Sequence, residues 1–172
     1  QLPILFVLSS PRAGSSLLQL CLNAHSGLYA GQELFLLPYD NLGERGRALR
    51  GHGFEEGLVK TLMELRGTSY EAAAAYVSRG LGGGGGGGGE VGGAPVWRAY
   101  EELQTLAQPR ILVDKTPPNA ERLNFLRRAQ ELFARASYVH LVRHPYACIS
   151  SGVELARDVL GTCTCASPQD GA

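Results

Sequence analysis

The sequence predicts an α/β fold in which a parallel β-sheet is flanked by helices. Two apolar runs, Ile4–Leu8 and Tyr138–Val142, have the length of buried strands, and each is followed by a turn and a helical pattern. A third short apolar run, Ile111–Val113, lies between them. Strands that alternate with helices are typical of parallel sheets covered by helices. The 172 residues, 44% of them hydrophobic, suffice for one such domain.

The elements after the first strand follow from local patterns. A helix is predicted from about Ser16 to Ala24, with Ser15 or Ser16 as its N-cap. The segment Ser26–Asp40 has no helical or strand pattern, and we expect a loop there. Apolar residues then recur at three- and four-residue spacing, which predicts an amphipathic helix; they are Phe54, Leu58, Leu62 and Leu65.

The middle of the chain contains two further predicted helices, separated by a glycine tract. The segment Thr68–Glu71 fits a capping box, so a helix is expected over Ala72–Val77, ended by Gly80. Residues 80–95 are glycine-rich, and we expect them to form a flexible insertion. A helix is then predicted over Val96–Ala107.

The last third of the chain supplies two more helices and a tail. Asn119 is predicted to cap a helix whose apolar stripe is formed by Leu123, Leu126, Ala129, Leu132 and Phe133. The last helix is predicted over Tyr146–Asp158, with Pro145 at its first position. No helical or strand pattern follows Asp158. The predicted organisation is therefore one domain over residues 1–158 and an irregular tail over residues 159–172.

The turn after the first strand predicts an anion-binding site. Residues 9–14 break the apolar run and lead directly into a helix, which directs main-chain N–H groups and the positive end of the helix dipole at one spot. Arg12 adds a planar cation suited to phosphate or sulfate oxygens. The lysine of the Walker loop and the glycine pattern of dinucleotide-binding folds are both absent. We therefore expect a phosphorylated nucleotide or a sulfated relative.

A second turn carries a similar set of residues. Arg143 lies where the strand Tyr138–Val142 ends, and Ser151 follows eight residues later on the predicted helix. Ser150, one residue earlier, is the alternative to Ser151 as the serine of this set. Because the carboxyl ends of parallel strands share one edge of the sheet, we expect Arg143 to lie near the first turn.

Together these motifs resemble those of the sulfotransferases that use 3′-phosphoadenosine 5′-phosphosulfate (PAPS). The segment Ser9–Leu18 is similar to the 5′-phosphosulfate loop of that family, usually written SPRSGTTLL. The segment Leu141–Ser151 is similar to its 3′-phosphate motif, an arginine with a serine eight residues on. Ile111–Pro117 resembles the strand that delivers a lysine to the sulfate. Gly27–Pro38 resembles the segment that carries a glutamate or a histidine.

The subfamily that the chain resembles is the sulfotransferase domain of modular polyketide and olefin synthases. The cues are Glu33-Leu34, Asp114-Lys115 and the segment Val142–Ala147. The resemblance implies the P-loop-like parallel sheet of the sulfotransferase fold. It also implies a catalytic domain that continues past the 3′-phosphate motif, so we expect a fold that is incomplete at the C-terminus.

The resemblance also implies a role for each motif residue. The first loop would hold the 5′-phosphosulfate, Lys115 would neutralise charge on the leaving phosphate, and Glu33 would accept the proton of the acceptor hydroxyl. The implied donor-binding residues are Ser10, Pro11, Arg12, Ala13, Gly14, Ser15, Ser16, Arg143 and Ser151, and the implied catalytic residues are Glu33, Lys115 and Arg12. Related synthase domains often carry a histidine two residues after the glutamate. Here that position is Phe35, so either Glu33 acts alone or activity falls.

The composition of the chain limits the classes of binding partner that we expect for it. The chain has 16 basic and 16 acidic residues, a net charge of zero that does not favour nucleic acid or an anionic membrane. There is no apolar run of membrane-spanning length, and a cytoplasmic location is expected. No histidine and cysteine spacing indicates zinc, so no metal is expected. The resemblance implies PAPS as the co-substrate.

The resemblance leaves three classes of function open. The first is sulfation of a hydroxyl. The acceptor could be a β-hydroxyacyl chain on an acyl carrier protein, where sulfation prepares elimination to a terminal alkene. Protein tyrosine or a carbohydrate is the alternative acceptor. The second class is a degenerate module that binds nucleotide without turnover, and the third is a P-loop-type kinase. The missing Walker lysine argues against the kinase.

Overall fold

The computed structural model describes residues 2–81 and 93–160, with side chains up to residue 157. Strands and helices alternate along the described chain, apart from a run of four successive helices in its middle. In chain order the elements are β1 (Ile4–Ser9), α1 (Ser15–Asn23), β2 (Leu28–Ala30), α2 (Leu42–Leu49), α3 (Glu56–Arg66), α4 (Tyr70–Ser78), α5 (Val96–Ala107), β3 (Ile111–Asp114), α6 (Leu123–Leu132), β4 (Ala136–Leu141) and α7 (Pro145–Leu160), with short 3-10 turns at Gly53–Glu55 and Pro117–Ala120.

The four strands form one parallel sheet in the order β2-β3-β1-β4. Phe6 of β1 pairs with Asp114 of β3, and Ser9 pairs with Leu141 of β4. The central strand β1 is largely buried on both faces, whereas the edge strand β4 is more exposed. All four strands therefore end at the same edge of the sheet, where ligands bind in open α/β folds.

Helices cover both faces of the sheet, because alternate strand residues point to opposite sides. On one face, α1 packs with Leu18 and Leu22 against Val7, Ala30 and Val113. On the other face, helices α3 to α6 bury the larger core, whose centre is an aromatic cluster. The cluster consists of Phe6, Tyr100 and Phe133, with ring centroids 5.0–6.3 Å apart.

Two elements of the structure were not expected from the sequence. Strand β2 and helix α2 lie in and just after the segment that was predicted to be a loop. Strand β2 has three residues, too few for a pattern to be visible. Helix α2 contains two glycines and few apolar residues, and is held by the side chain of Asn41, which accepts from the Glu44 amide at 2.8 Å.

The predicted caps of α4 and α6 are wrong in detail. Asn119 is not an N-cap, because it is buried in the 3-10 turn after β3 and donates to Asp114; α6 begins later, at Leu123. In α4 the cap is Ser69, whose hydroxyl accepts from the Ala72 amide, one residue further along than the predicted box would place it.

Two predicted segments fall largely outside the described residues. Residues 82–92 belong to the predicted flexible insertion over 80–95, and residues 161–172 belong to the predicted tail. Both assignments, and the domain boundary at residue 158, stay predictions.

Candidate functional site

The polar residues that the sequence singled out lie just beyond the carboxyl ends of the strands. Arg12 follows β1, Glu33 follows β2, Lys115 follows β3 and Arg143 follows β4. Since the strands are parallel and adjacent, this edge of the sheet collects two arginines, a lysine and a carboxylate. The topology thus assembles the site from four separate parts of the chain.

The loop after β1 has the backbone geometry of an anion cradle. Gly14 is the N-cap residue of α1, with φ 96°, and Arg12 has φ 65°. Such left-handed conformations are uncommon for residues other than glycine and concentrate at functional sites. No side chain caps α1, so the predicted capping by Ser15 or Ser16 is wrong; Ser15 is the first helical residue instead. The first amides of α1 are therefore free of a side-chain acceptor and available to an anion.

The two motif arginines converge on this loop. Arg143 Nη1 donates to the main-chain oxygen of Arg12 at 3.0 Å, and Arg12 Nε donates to Ser151 Oγ at 3.1 Å. Both arginines are exposed to solvent. Of the two serines left open by the sequence, Ser151 is the one that contacts Arg12, whereas Ser150 is exposed on α7. The two motifs thus form one positively charged surface.

Glu33 and Lys115 form an ion pair beside this surface. Lys115 Nζ lies 2.6 Å from Glu33 Oε1. The lysine side chain is 4% exposed and the glutamate side chain 27%, so the carboxylate remains accessible while the ammonium is enclosed. The oxygen atoms of a carboxylate that pairs with a cation accept hydrogen bonds, so the exposed side of Glu33 can receive a hydrogen bond from a ligand.

The loop that carries Glu33 is fixed from two sides by contacts to its backbone. The Gln32 amide donates to Thr61 Oγ1 on α3 at 3.0 Å, and the Leu34 amide donates to Thr116 Oγ1 after β3 at 3.1 Å. At Gly57, a Cβ atom would lie 2.0 Å from the carbonyl oxygen of Glu33. Only glycine therefore allows α3 to approach the loop this closely. Nothing in the sequence pattern indicated these supporting residues.

Beneath the site, Asp114 anchors β3 to the core helix α5. It is buried, and it accepts hydrogen bonds from Tyr100 Oη at 2.6 Å, Thr116 Oγ1 at 2.6 Å and Asn119 Nδ2 at 3.2 Å. Burial raises the pKa of Asp114, and the three hydrogen bonds oppose that rise. Because Thr116 also holds the loop of Glu33, this network links the core to the position of Glu33.

Two adjoining clefts open at this edge. The first has a volume of about 480 Å³ and contains most of the predicted loop residues together with Glu33, Arg143 and Ser151. The second, about 410 Å³, contains Lys115. Both are lined by Ser16, Glu33 and Phe54, so Glu33 lies at their junction. Of the predicted residues, Ala13 is buried behind the loop, and Ser10 lies beside Cys148, with 3.8 Å between its Oγ and the sulfur.

Another cleft of about 510 Å³ lies away from this edge. Its ionisable lining residues are Glu101 and Glu131, so its charge does not suit an anion. The convergence of cations identifies the clefts at the carboxyl edge as the candidate site. Among the described residues, no group of three or more histidine, cysteine or acidic side chains is arranged to hold a metal ion.

An aromatic pair closes one side of the first cleft. The rings of Phe35 and Phe54 lie 4.8 Å apart between centroids. Phe35 is buried and has φ 49°, whereas Phe54 is 53% exposed. The position where related domains often carry a histidine is thus part of an apolar wall next to Glu33.

Comparison with known proteins agrees with the motifs. The family model described as "Sulfotransferase family" matches residues 93–167. The sulfotransferase domain of the olefin synthase of Synechococcus PCC 7002 has 39% sequence identity to the chain and a TM-score of 0.81. The described chain therefore has the fold of a sulfotransferase domain. The sulfotransferase domain from the curacin biosynthetic pathway is similar, with 37% identity and a TM-score of 0.79. No curated protein matches the chain.

The resemblance to synthase-embedded sulfotransferase domains and the expected α/β fold are thereby confirmed. The match covers 91% of this chain and 54% of the olefin synthase domain, and 94% of this chain and 54% of the curacin domain. The chain therefore spans about half the length of either solved structure. Within the part of the chain that the structure describes, none of the helices has the length and apolar character needed to cross a bilayer.

Proposed function

We propose that this chain transfers a sulfuryl group from PAPS to the hydroxyl of an acceptor molecule. The observation that carries the proposal is the meeting of Arg12, Arg143 and Ser151 at the open N-terminus of α1, within one cleft that also contains Glu33. Sulfuryl transfer needs charge stabilisation on both sides of the moving group and a proton acceptor, and these residue types supply both.

The residues present suit the two anionic ends of the donor. The free amides of α1, together with Arg12, would hold the 5′-phosphosulfate. Arg143 and Ser151 would hold the 3′-phosphate. Since Ser151 Oγ accepts from Arg12 Nε, its own hydroxyl proton stays free to donate to an anion. Bound there, PAPS would supply the sulfuryl group.

Lys115 and Glu33 would act on opposite sides of the transfer. The sulfuryl group leaves a phosphate oxygen of the donor and forms a bond to the acceptor oxygen, and the acceptor proton passes to the Glu33 carboxylate. The Lys115 ammonium offsets negative charge on the leaving phosphate. In the structure these two groups pair with each other at 2.6 Å. We expect the donor anion to compete for Lys115 and so to release Glu33 toward the acceptor.

The apolar wall next to Glu33 favours an acceptor with an apolar segment. Phe35 and Phe54 stand beside the carboxylate, where a sugar would need hydrogen-bonding partners. A β-hydroxyacyl chain on an acyl carrier protein fits this environment better than a carbohydrate. The two solved relatives come from an olefin synthase and from the curacin biosynthetic pathway, which agrees with that acceptor class. A cytoplasmic location stays a prediction that accompanies this proposal.

The donor assignment is tested by calorimetric titration with 3′-phosphoadenosine 5′-phosphate and with adenosine 5′-phosphate, which differ only in the 3′-phosphate. We expect the wild-type chain to prefer the 3′-phosphorylated nucleotide. Arg143→Ala should lose this preference, at a cost of about 1.5–3 kcal/mol for a charged hydrogen bond. Arg157→Ala removes an exposed arginine elsewhere on α7 and is the matched control. Equal binding of both nucleotides by the folded wild-type chain would contradict the proposal.

A further inference from the structure

Arg45 is a buried arginine that the sequence did not single out. It lies on α2, is 4% exposed, and is enclosed between two segments that both line the candidate site. One is the loop of Glu33 and Phe35, and the other is the 3-10 turn that carries Phe54. A charged side chain in such a position is costly unless its donors are satisfied.

The guanidinium joins these two segments through their carbonyl groups. Nε donates to Leu34 O at 2.9 Å and to Phe35 O at 3.2 Å. Nη1 and Nη2 both donate to Glu55 O at 3.3 Å, and Nη2 also donates to Phe54 O at 3.3 Å. One planar group thus satisfies four carbonyls on two segments, which the single ammonium of a lysine could not do.

The bonding is to backbone rather than to an acidic partner. Among the described ion pairs, none involves Arg45. Burial lowers the pKa of Arg45 to about 10, so the side chain is still charged at neutral pH. A buried cation without a carboxylate partner stabilises a fold poorly by itself, but it fixes the position of whatever accepts its hydrogen bonds.

We infer that Arg45 is a positioning residue for the acceptor side of the site, an inference that rests on the proposed sulfuryl transfer. It holds the loop of Glu33 against the turn of Phe54. It thereby fixes the carboxylate at the junction of the clefts and the Phe35–Phe54 pair beside it. Phe35 has a left-handed backbone, a conformation that persists only when surrounding contacts determine it. Arg45 supplies two of those contacts.

The test compares Arg45→Gln and Arg45→Lys with Arg47→Gln, which removes an exposed arginine from the same helix. Three quantities are measured on the full chain: the Kd for 3′-phosphoadenosine 5′-phosphate, kcat/KM for a β-hydroxyacyl acceptor, and backbone hydrogen exchange. For both Arg45 variants we expect faster exchange confined to residues 33–36 and 53–57 and an unchanged Kd. We expect kcat/KM to fall at least about tenfold, because misplacement of a reacting group is costly. Arg47→Gln should match the wild type.

Several outcomes would overturn the inference. Acceptor kinetics like those of the wild type in both Arg45 variants would show that the carbonyl contacts do not position the site. Faster exchange throughout β1, β3 and α5 in both variants would show that Arg45 serves the fold and not the site. If the wild-type chain neither binds the nucleotide nor turns over, the proposed sulfuryl transfer fails. The exchange pattern then still decides whether Arg45 holds the two segments together.

Discussion

At the scale of single residues, the pairing of Glu33 with Lys115 is the feature closest to the chemistry. The two side chains are 82 positions apart in sequence and meet at 2.6 Å because β2 and β3 are neighbours in the sheet. The lysine side of this ion pair is enclosed and the glutamate side is open, so the carboxylate remains reachable. A proton acceptor has to be reachable by the group whose proton it takes.

The first prediction concerns this carboxylate. In Glu33→Gln, the amide oxygen can still accept from Lys115, but the group can no longer take a proton at neutral pH. We expect kcat for sulfuryl transfer to fall by about 10²–10⁴-fold, the usual contribution of a positioned base. Affinity for 3′-phosphoadenosine 5′-phosphate should stay the same, as measured by calorimetry.

Glu131→Gln makes the same chemical change on the exposed surface of α6 and is the control for the Glu33 variant. It should leave both kcat and nucleotide affinity unchanged. Turnover by Glu33→Gln at the wild-type rate would rule out Glu33 as the base. If the Glu33 variant lost both its nucleotide affinity and its turnover, the substitution would have disrupted the loop and not only removed a base.

The site residues differ in how visible they were in the sequence. Arg12, Arg143 and Ser151 lie in short motifs, so a local pattern was enough to single them out, and the structure brings all three together. Arg45 and Gly57 have no motif, since their importance depends on which backbone atoms lie next to them after folding. Only three-dimensional packing shows such supporting residues.

At the scale of elements, the sequence predicted long, strongly patterned segments well. Helix α5 has the predicted bounds Val96–Ala107, and the three predicted strands are present. The elements that were missed, β2 and α2, hold their places through contacts from distant parts of the chain. Strand β2 is held by pairing with β3, and α2 by Arg45 and an Asn41 cap. Tertiary contacts of this kind override a weak local pattern.

The second prediction concerns the close approach of α3 to the loop of Glu33. A Cβ at Gly57 would lie 2.0 Å from the Glu33 carbonyl oxygen, so Gly57→Ala must displace the loop or the helix. We expect a loss of about 1–3 kcal/mol in the free energy of unfolding, measured by urea denaturation. Transfer activity should fall as well, because Glu33 moves with its backbone.

Gly46→Ala is the matched control, since Gly46 lies within α2 and a Cβ there would meet nothing within 4 Å. Alanine is a better helix former than glycine, so this variant should gain about 0.5–1 kcal/mol of stability. If Gly57→Ala were as stable and as active as the Gly46 variant, the tight contact between α3 and the loop would not exist in solution.

At the scale of the whole molecule, the site depends on all four described strands of the sheet. Each of the four strands delivers one of the charged groups at its carboxyl end, so no part of the sheet holds the site alone. The strand order β2-β3-β1-β4 could not be read from the sequence, because apolar runs do not state which strands pair. Asp114 connects the core to the site, because its carboxylate accepts hydrogen bonds from Tyr100 on α5 and from Thr116, which contacts the loop of Glu33.

The buried carboxyl of Asp114 makes the free energy of unfolding depend on pH. Burial raises the folded-state pKa of Asp114 above its ordinary value of 3.8. The stability contributed by this carboxyl is therefore fully present below that value and is lost as the pH rises through the folded pKa. The hydrogen bond from Tyr100 lowers the pKa and limits the loss.

The last prediction is that Tyr100→Phe is less stable than the wild type by about 1–3 kcal/mol at pH about 7, because a buried carboxylate loses a donor. The deficit should shrink as the pH is lowered through the folded-state pKa of Asp114, since protonation removes the charge. Tyr76→Phe removes a hydroxyl that donates to the partly exposed Glu102 and should cost about 0.5–1.5 kcal/mol. Urea denaturation across this pH range measures both. If the stability lost in Tyr100→Phe did not change with pH, the loss would not come from the hydrogen bond to an ionised Asp114.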